Sequence, residues 1–227
     1  MTIKTPQPPG RRNGLCSLPR RRLLGAGVAA FGAATPALAV LLTTAPQTRG
    51  PFYPHELPLD SDNDLVRVAG RDALAEGAIT DLGGRILDAN GRGVAGAVVE
   101  IWQCDANGRY HHPWDRRGAP RDENFQGYGR FVAGTDGRYR FRTIRPVPYP
   151  GRAPHIHFAV RAPGGTSLVT QMYVAGAPEN HRDGILNGVR DPSRRSALIV
   201  PFEPADSDIA FLKARFDIVL GPGAAGG

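Results

Sequence analysis

Cysteine is almost missing from this 227-residue chain, which has only Cys16 and Cys104. Cys16 lies in an N-terminal segment with the features of a cleaved leader. Cys104 would then stand alone, which excludes an internal disulfide even in an oxidising compartment. With no partner, Cys104 reads as a small packed residue at a strand end rather than as a nucleophile. The sequence has no long amphipathic helix and no coiled-coil heptad, so a helical bundle is excluded. It has no HExxH pattern or equivalent, so a zinc hydrolase lacks its carboxylate base. Excess charge is also missing once the leader is set aside. The net charge of +7 includes Lys4, Arg11, Arg12, Arg20, Arg21 and Arg22, all within the first 39 residues, which hold no acid; the remainder carries +1. Nucleic acid is therefore not an expected partner.

The leader is read from three features. Arg20, Arg21 and Arg22 precede Leu23 and Leu24, a Gly/Ala-rich apolar stretch follows, and Ala37-Leu38-Ala39 forms an A-x-A cleavage site. Paired arginines followed by leucines resemble a twin-arginine signal, a route that exports proteins already folded. Residues 1–39 are expected to be that signal, with export to the periplasm or beyond. The apolar run from Leu23 to Leu42 is 20 residues, long enough to span a bilayer. Its Gly and Ala content, Pro36 and the cleavage site instead favour removal, with no stable membrane insertion afterwards.

The rest is rich in turn formers, with 29 glycines and 21 prolines in the whole chain. Strand-like segments recur between them: 85–88 before the hairpin signal Asn90-Gly91, then 97–102, 138–144 after Asp136-Gly137, 155–160, 168–174, 196–202 and 210–219. This spacing predicts an all-β fold, a β-sandwich core with long loops carrying a metal site. Residues 40–80 read as an irregular N-terminal arm, 81–220 as the sandwich domain and 221–227 as a flexible tail. Residues 111–127 and 175–195 read as the two long loops, and long loops on a rigid scaffold are where sites tend to sit.

The densest chemistry lies between Tyr149 and Phe158. His155 and His157 are two apart, so on a strand both imidazoles project from one face while Ile156 and Phe158 project from the other. Two imidazoles on one face can grip a single ion. Tyr149, across a Pro-Gly turn, can return a phenolate oxygen to it. Nitrogen with phenolate suits a hard, oxidised iron better than zinc.

Five segments extend this pattern: Thr48–Tyr53, Gly108-Arg109-Tyr110-His111-His112, Phe141–Pro150, Arg152–Phe158 and Gln171-Met172-Tyr173. Together they closely resemble the intradiol ring-cleavage dioxygenases, in particular the subunits of protocatechuate 3,4-dioxygenase, over roughly residues 45–205. The resemblance implies a mononuclear non-haem Fe(III) held by Tyr110, Tyr149, His155 and His157. It implies a small aromatic diol and O2 as substrates, and ring opening between the two hydroxyl-bearing carbons to a cis,cis-muconate. Tyr149 would be the tyrosine that yields to the substrate and takes its proton. Arg152 would set a cation against charge developing on the ring. Gln171 would hydrogen-bond the substrate or a ligand. Relatives in this family assemble into dimers or larger shells, so a homo-oligomer is expected. Two departures stand out: the loop between Tyr149 and His155 has only five residues, and Gly151 stands where the protocatechuate enzymes carry a bulky tryptophan. Both imply a more open site. Tyr128, Tyr139 and Tyr173 read as core or rim residues. His55, His111, His112 and His181 have no matched role, with His112 the best placed of them. The alternative to an enzyme is a secreted β-sandwich binding module whose histidines are incidental.

Overall fold

The computed structural model describes residues 41–58 and 60–222. The leader expected over residues 1–39 lies outside them, as do residues 223–227 of the expected tail. Among the described residues ten strands form: β1 (Ile79–Leu87), β2 (Val98–Trp102), β3 (Tyr128–Val132), β4 (Arg138–Ile144), β5 (His155–Arg161), β6 (Ser167–Val174), β7 (Ile199–Val200), β8 (Glu203–Pro204), β9 (Leu212–Arg215) and β10 (Ile218–Val219). They make two five-stranded sheets. In the first, β1 is flanked by β4 on one side and by β9 and β10 on the other, with β8 beyond β9; the second runs β3-β2-β5-β6-β7. The architecture is the all-β sandwich that the spacing predicted.

Alternation explains the core. From the first sheet, Leu82, Ile86, Tyr139 and Phe141 face inward; from the second, Val99, Ile101, Ile156, Phe158, Val160 and Met172 meet them, all buried. The Phe158 ring lies 6.1 Å from Tyr139 and 5.2 Å from Phe216, placing it at the centre of the aromatic packing between the sheets. The second sheet also buries its outer face. Trp102, Cys104, Tyr110, Tyr128, Ala159 and Val169 form a separate apolar cluster there, covered by Phe52, Tyr53, Val147 and Tyr149. Cys104 is buried at the end of β2, and burial pushes its thiol up to about 12, so it is an inert packing residue.

The arm, expected to be irregular, has no named strand before β1 but is tied to the sandwich by main-chain bonds. Gln47 N donates to Val169 O at 2.8 Å, Thr44 N to Val219 O at 3.0 Å and Leu65 N to Arg142 O at 2.8 Å. Gln126 N returns a bond to Leu65 O at 2.9 Å. Together these bonds strap the arm over the outer face of the second sheet and across to β4.

Three strand expectations need correction. The segment 196–202 opens with the end of a helical turn, α2 (Pro192–Ser196), and only Ile199–Val200 pair. Asp191 caps that turn, accepting from Ser193 N at 2.9 Å and Arg194 N at 3.2 Å, and Pro192 is pre-set for its first position. The segment 210–219 breaks at Phe216 into β9 and β10. At the break the backbone presses against β1 so closely that a Cβ on Gly84 would sit 2.0 Å from Phe216 O. Strand β3 was not among the expected strands; it is short and carries Gly129, which weakens its local strand signal. Its pairing with β2 over Val98–Trp102 overrides that local signal. The long loop 175–195 also gains local structure: a 3₁₀ turn (Pro178–His181), the helical turn α1 (Gly184–Asn187) and most of α2.

Phe158 is fully buried between the sheets. Phe158→Ala is expected to lower unfolding stability by about 3–5 kcal/mol through lost burial and a residual cavity. Urea melts check this, and an unchanged m-value would show that the unfolded reference is unaltered.

Candidate metal centre

Strand β5 sets the geometry of the site. His155 pairs with Tyr173, and His157 lies between Trp102 of β2 and Gln171 of β6. Directly opposed residues share a face, so these five side chains line one patch on the outer side of the second sheet. The two imidazoles lie 4.9 Å apart, centroid to centroid, as the two-residue spacing predicted. The loop after β2 brings Tyr110 over the patch, and the turn before β5 brings Tyr149. Tyr110 lies 5.8 Å from Tyr149 and 6.2 Å from His157, and Tyr149 lies 5.5 Å from His155. The four side chains singled out as ligands therefore converge.

Their protonation is set by burial. His155 Nδ1 lies 2.6 Å from Ala153 O. A carbonyl only accepts, so Nδ1 carries the proton and the Nε2 lone pair faces Tyr110 Oη at 3.4 Å. Burial, and then the Arg152 cation, lower His155 to about 4. Burial, His155 and Arg152 push His157 well below the usual imidazole range. Both rings are thus neutral, the form that binds metal. The His157 ring stacks flat on Trp102 at 4.8 Å and 9°, and its Nδ1 is buried with no hydrogen-bond partner among the described residues. Gly50 closes over the same ring, where a Cβ would lie 3.3 Å from His157 Cε1.

The two phenols differ. Tyr110 is buried, and burial together with Tyr149 pushes its hydroxyl well above the ordinary value. It stacks on Phe52 at 4.7 Å, and its backbone N donates to Asp115 Oδ2 at 2.7 Å. Tyr149 is only partly buried; burial raises its hydroxyl too, but Arg152 works in the opposite direction. Two neutral imidazoles and two phenols packed together, one ring nitrogen unpartnered, form a set that a hard cation would complete. Its charge would reverse the phenol shifts while using the imidazoles as they stand. Among the described residues no three His, Cys, Asp or Glu side chains form a metal cage. The donors that fit are the mixed imidazole–phenol set.

Arg152 is fixed from three sides. Its Nε donates to Asp183 Oδ2 at 2.9 Å, Nη2 donates to Gln171 Oε1, and Nη1 reaches Tyr149 Oη at 3.5 Å. Gln171 is held in turn, donating from Nε2 to Thr48 O at 2.9 Å and accepting from Tyr173 Oη at 3.1 Å. The structure thus places Gln171 as an anchor for the guanidinium, beside the imidazoles.

Two carboxylates central to this arrangement went unnoticed in the sequence. Asp183 is buried and accepts from Arg152, from Ala153 N at 2.9 Å and from Ile185 N and Leu186 N at 3.0 Å, so it also caps α1. The cap pattern Asp183-Gly184-Ile185-Leu186 was readable; its long-range ion pair was not. Asp115 joins Tyr110 N to the Arg117 guanidinium, whose Nε donates to Asp115 Oδ1 at 2.8 Å. That guanidinium lies over the Tyr149 ring at 4.4 Å.

The remaining histidines stay outside the donor set. His112 is buried beside Phe52 and accepts from Trp114 N through Nδ1 at 3.2 Å. His111 lies 3.7 Å from Asp105 Oδ2. His55 contacts Trp114, and His181 is exposed. Tyr128, Tyr139 and Tyr173 are buried, as expected.

Comparison with known proteins bears on this geometry. A family model described as Dioxygenase matches residues 48–222. The chain is 40% identical over 172 residues to the protocatechuate 3,4-dioxygenase beta chain of Burkholderia cepacia, covering 72% of each. It is 32% identical over 206 residues to hydroxyquinol 1,2-dioxygenase of Corynebacterium glutamicum, covering 77% of this chain but only 62% of that protein's length. Among solved structures it resembles the dioxygenase domain of a dioxygenase–carbohydrate-binding fusion from Streptomyces sp. SirexAA-E. That likeness has a TM-score of 0.60 and 28% identity, with 79% of this chain and 98% of that one covered.

Asp183 yields a prediction about stability. Burial alone would raise its pKa; bonds from Leu186 N and Ala153 N and the Arg152 cation outweigh this and hold it below the ordinary 3.8. A depressed folded value stabilises the fold fully above the unfolded pKa, and that contribution fades as pH falls through the folded one. Asp183→Asn is therefore expected to cost about 3–5 kcal/mol near neutral pH, by leaving Arg152 uncompensated. Urea melts across the acid limb should show the gap to wild type narrowing as pH falls.

Proposed function

The chain belongs to the intradiol ring-cleavage dioxygenase family, and we propose that it is an Fe(III)-dependent enzyme that opens a catechol-type ring, protocatechuate or a related diol, to a cis,cis-muconate using O2. The observation that carries this reading is the convergence of Tyr110, Tyr149, His155 and His157 on one buried patch beside a fixed cation, Arg152. Those four residues would hold the ion. When bound, ferric iron would supply Lewis acidity toward a chelated catecholate and make the ring's electrons available to O2.

The protein's own groups have distinct tasks. His155 and His157 present neutral nitrogens, one oriented by the Ala153 carbonyl and the other by the Trp102 face. Tyr110 is the fixed phenol, locked by Phe52 and by its backbone bond to Asp115. Tyr149 is the exchangeable one, being the less buried and lying at the end of a short turn. Its Oη is the atom that would take a proton from an incoming diol. Arg152 stands 3.5 Å from that oxygen, held by Asp183 and Gln171. A cation held this way is already in place for negative charge developing on the ring, with no reorganisation during the reaction. The stacked Trp102 and the close approach of Gly50 keep water from the imidazole side. The four-ring donor set, three of its members buried, weighs against a non-catalytic binding module, which has no use for paired phenols there.

Export through the twin-arginine-type leader is part of the same proposal and rests on the features of residues 1–39. Among the described residues no helix is long and apolar enough to cross a membrane. A homo-oligomer is proposed on the assembly known for the family.

Iron-loaded protein is expected to show a visible tyrosinate-to-iron absorption band and to consume O2 with catechol or protocatechuate, yielding a muconate. Tyr149→Phe and His157→Ala are each expected to lose iron or activity. A colourless protein that is inert after iron loading, or full activity in either variant, would overturn the assignment. Replacing Arg20, Arg21 and Arg22 by lysine is expected to retain the protein in the cytosolic fraction.

A further inference from the structure

A trough of about 370 Å3 opens beside Tyr149, bounded by Phe52, Trp114, Asp115, Arg116, Arg117 and Pro150. It shares Tyr149 with the donor set, and Phe52 on its wall stacks on Tyr110, so it adjoins the donor cluster. A diol held beside Tyr149 would bring a substituent on its ring within reach of this trough. At about 30 Å3 for a water-sized group, the trough has room for a side arm of several heavy atoms.

Charge decides what kind of arm. Three arginines near the mouth are already partnered. Arg152 is held by Asp183 and Gln171, Arg117 by Asp115, and Arg109 donates to the backbone oxygens of Asp115, Arg117 and Ala119. Arg116 is exposed and makes no hydrogen bond or ion pair among the described residues. An unpaired guanidinium on the rim of a partly enclosed trough attracts an anion and matches a carboxylate in bidentate geometry.

The opposite wall is apolar. Trp114 is 60% exposed yet not free to fold away. Its backbone N is tied to His112 Nδ1, and its ring meets the edges of His55 at 4.7 Å and His112 at 5.4 Å. A large ring fixed in water at the mouth of a site offers a stacking surface that a ligand can cover. At Gly151, next to Pro150 of the trough and with φ +82°, nothing lies within 4 Å of where a Cβ would be.

We infer that this trough is a subsite for an anionic side arm on the diol ring, with Arg116 as the specificity-determining cation and Trp114 as the apolar wall. The inference rests on the function proposed above and narrows its substrate class to catechols bearing an extended carboxylate arm.

The test compares 3,4-dihydroxyphenylpropionate with its neutral methyl ester, with catechol as reference. Oxygen uptake is measured for iron-loaded wild type, Arg116→Gln, Arg116→Lys and Trp114→Ala. In Arg116→Gln, kcat/KM for the acid is expected to fall about tenfold relative to the ester, mainly through KM, as for a lost charge-assisted hydrogen bond. Arg116→Lys should retain most of the preference, and added salt should erode it in wild type. Trp114→Ala should weaken acid and ester alike relative to catechol. Equal changes for acid and ester in Arg116→Gln, or no preference for the acid in wild type, would overturn the inference while catechol turnover still supports the family chemistry. Calorimetric binding of acid and ester to wild type and Arg116→Gln separates the two readings further. A preference for the acid that depends on Arg116 supports the subsite whatever the turnover, and its absence there overturns the subsite alone.

Discussion

Strand β5 is covered on both faces, and this double burial is the constraint from which the rest of the molecule follows. Its odd positions, His155 and His157, cannot point to water, and its even positions, Ile156, Phe158 and Val160, fill the space between the sheets. A strand with that pattern would ordinarily leave its polar face solvated. Here the arm, the loop after β2 and the turn before β5 close over that face with Phe52, Tyr53, Tyr110 and Tyr149, so the imidazoles are desolvated and held neutral. The same closure that costs hydration makes the patch a place where a cation is welcome.

Burying charge beside such a patch requires compensation, and the structure supplies it with two carboxylates. Asp183 neutralises Arg152 and at the same time caps a helical turn, so one group fixes both the cation and the loop that carries it. Asp115 does the corresponding work on the other side, joining the Tyr110 backbone to the guanidinium over Tyr149. Each carboxylate spends its lone pairs on several donors, the condition under which buried ions are tolerated. The result is a locked phenol, Tyr110, and a looser one, Tyr149, next to an immobile positive charge.

Much of this was legible in the chain. Spacing alone put His155 and His157 on one face, Ile156 and Phe158 on the other, and the turn residues marked a loop-rich sandwich. The sequence was misleading where local signals met long-range ones. Gly129 weakened the local signal of β3, whose existence depends on pairing with β2, and Asp191-Pro192 began a helical turn next to a segment that read as strand. Asp183 was invisible as a site residue for the same reason, whereas Asp115 and its partners Tyr110 and Arg117 share one irregular loop that has no periodic pattern to read. The Asp183 partner, Arg152, lies 31 positions away, and nothing in a linear pattern marks that distance as closed.

The sequence by itself determined the donor types, their two-residue spacing and the family to which those motifs belong, because side-chain alternation and ligand chemistry are local properties. Only the tertiary structure decided which phenol is locked and which is loose, which arginines are neutralised and which one is left unpaired, and that Gln171 serves the guanidinium. Those are matters of burial and of charge balance, set by which distant segments come to cover β5.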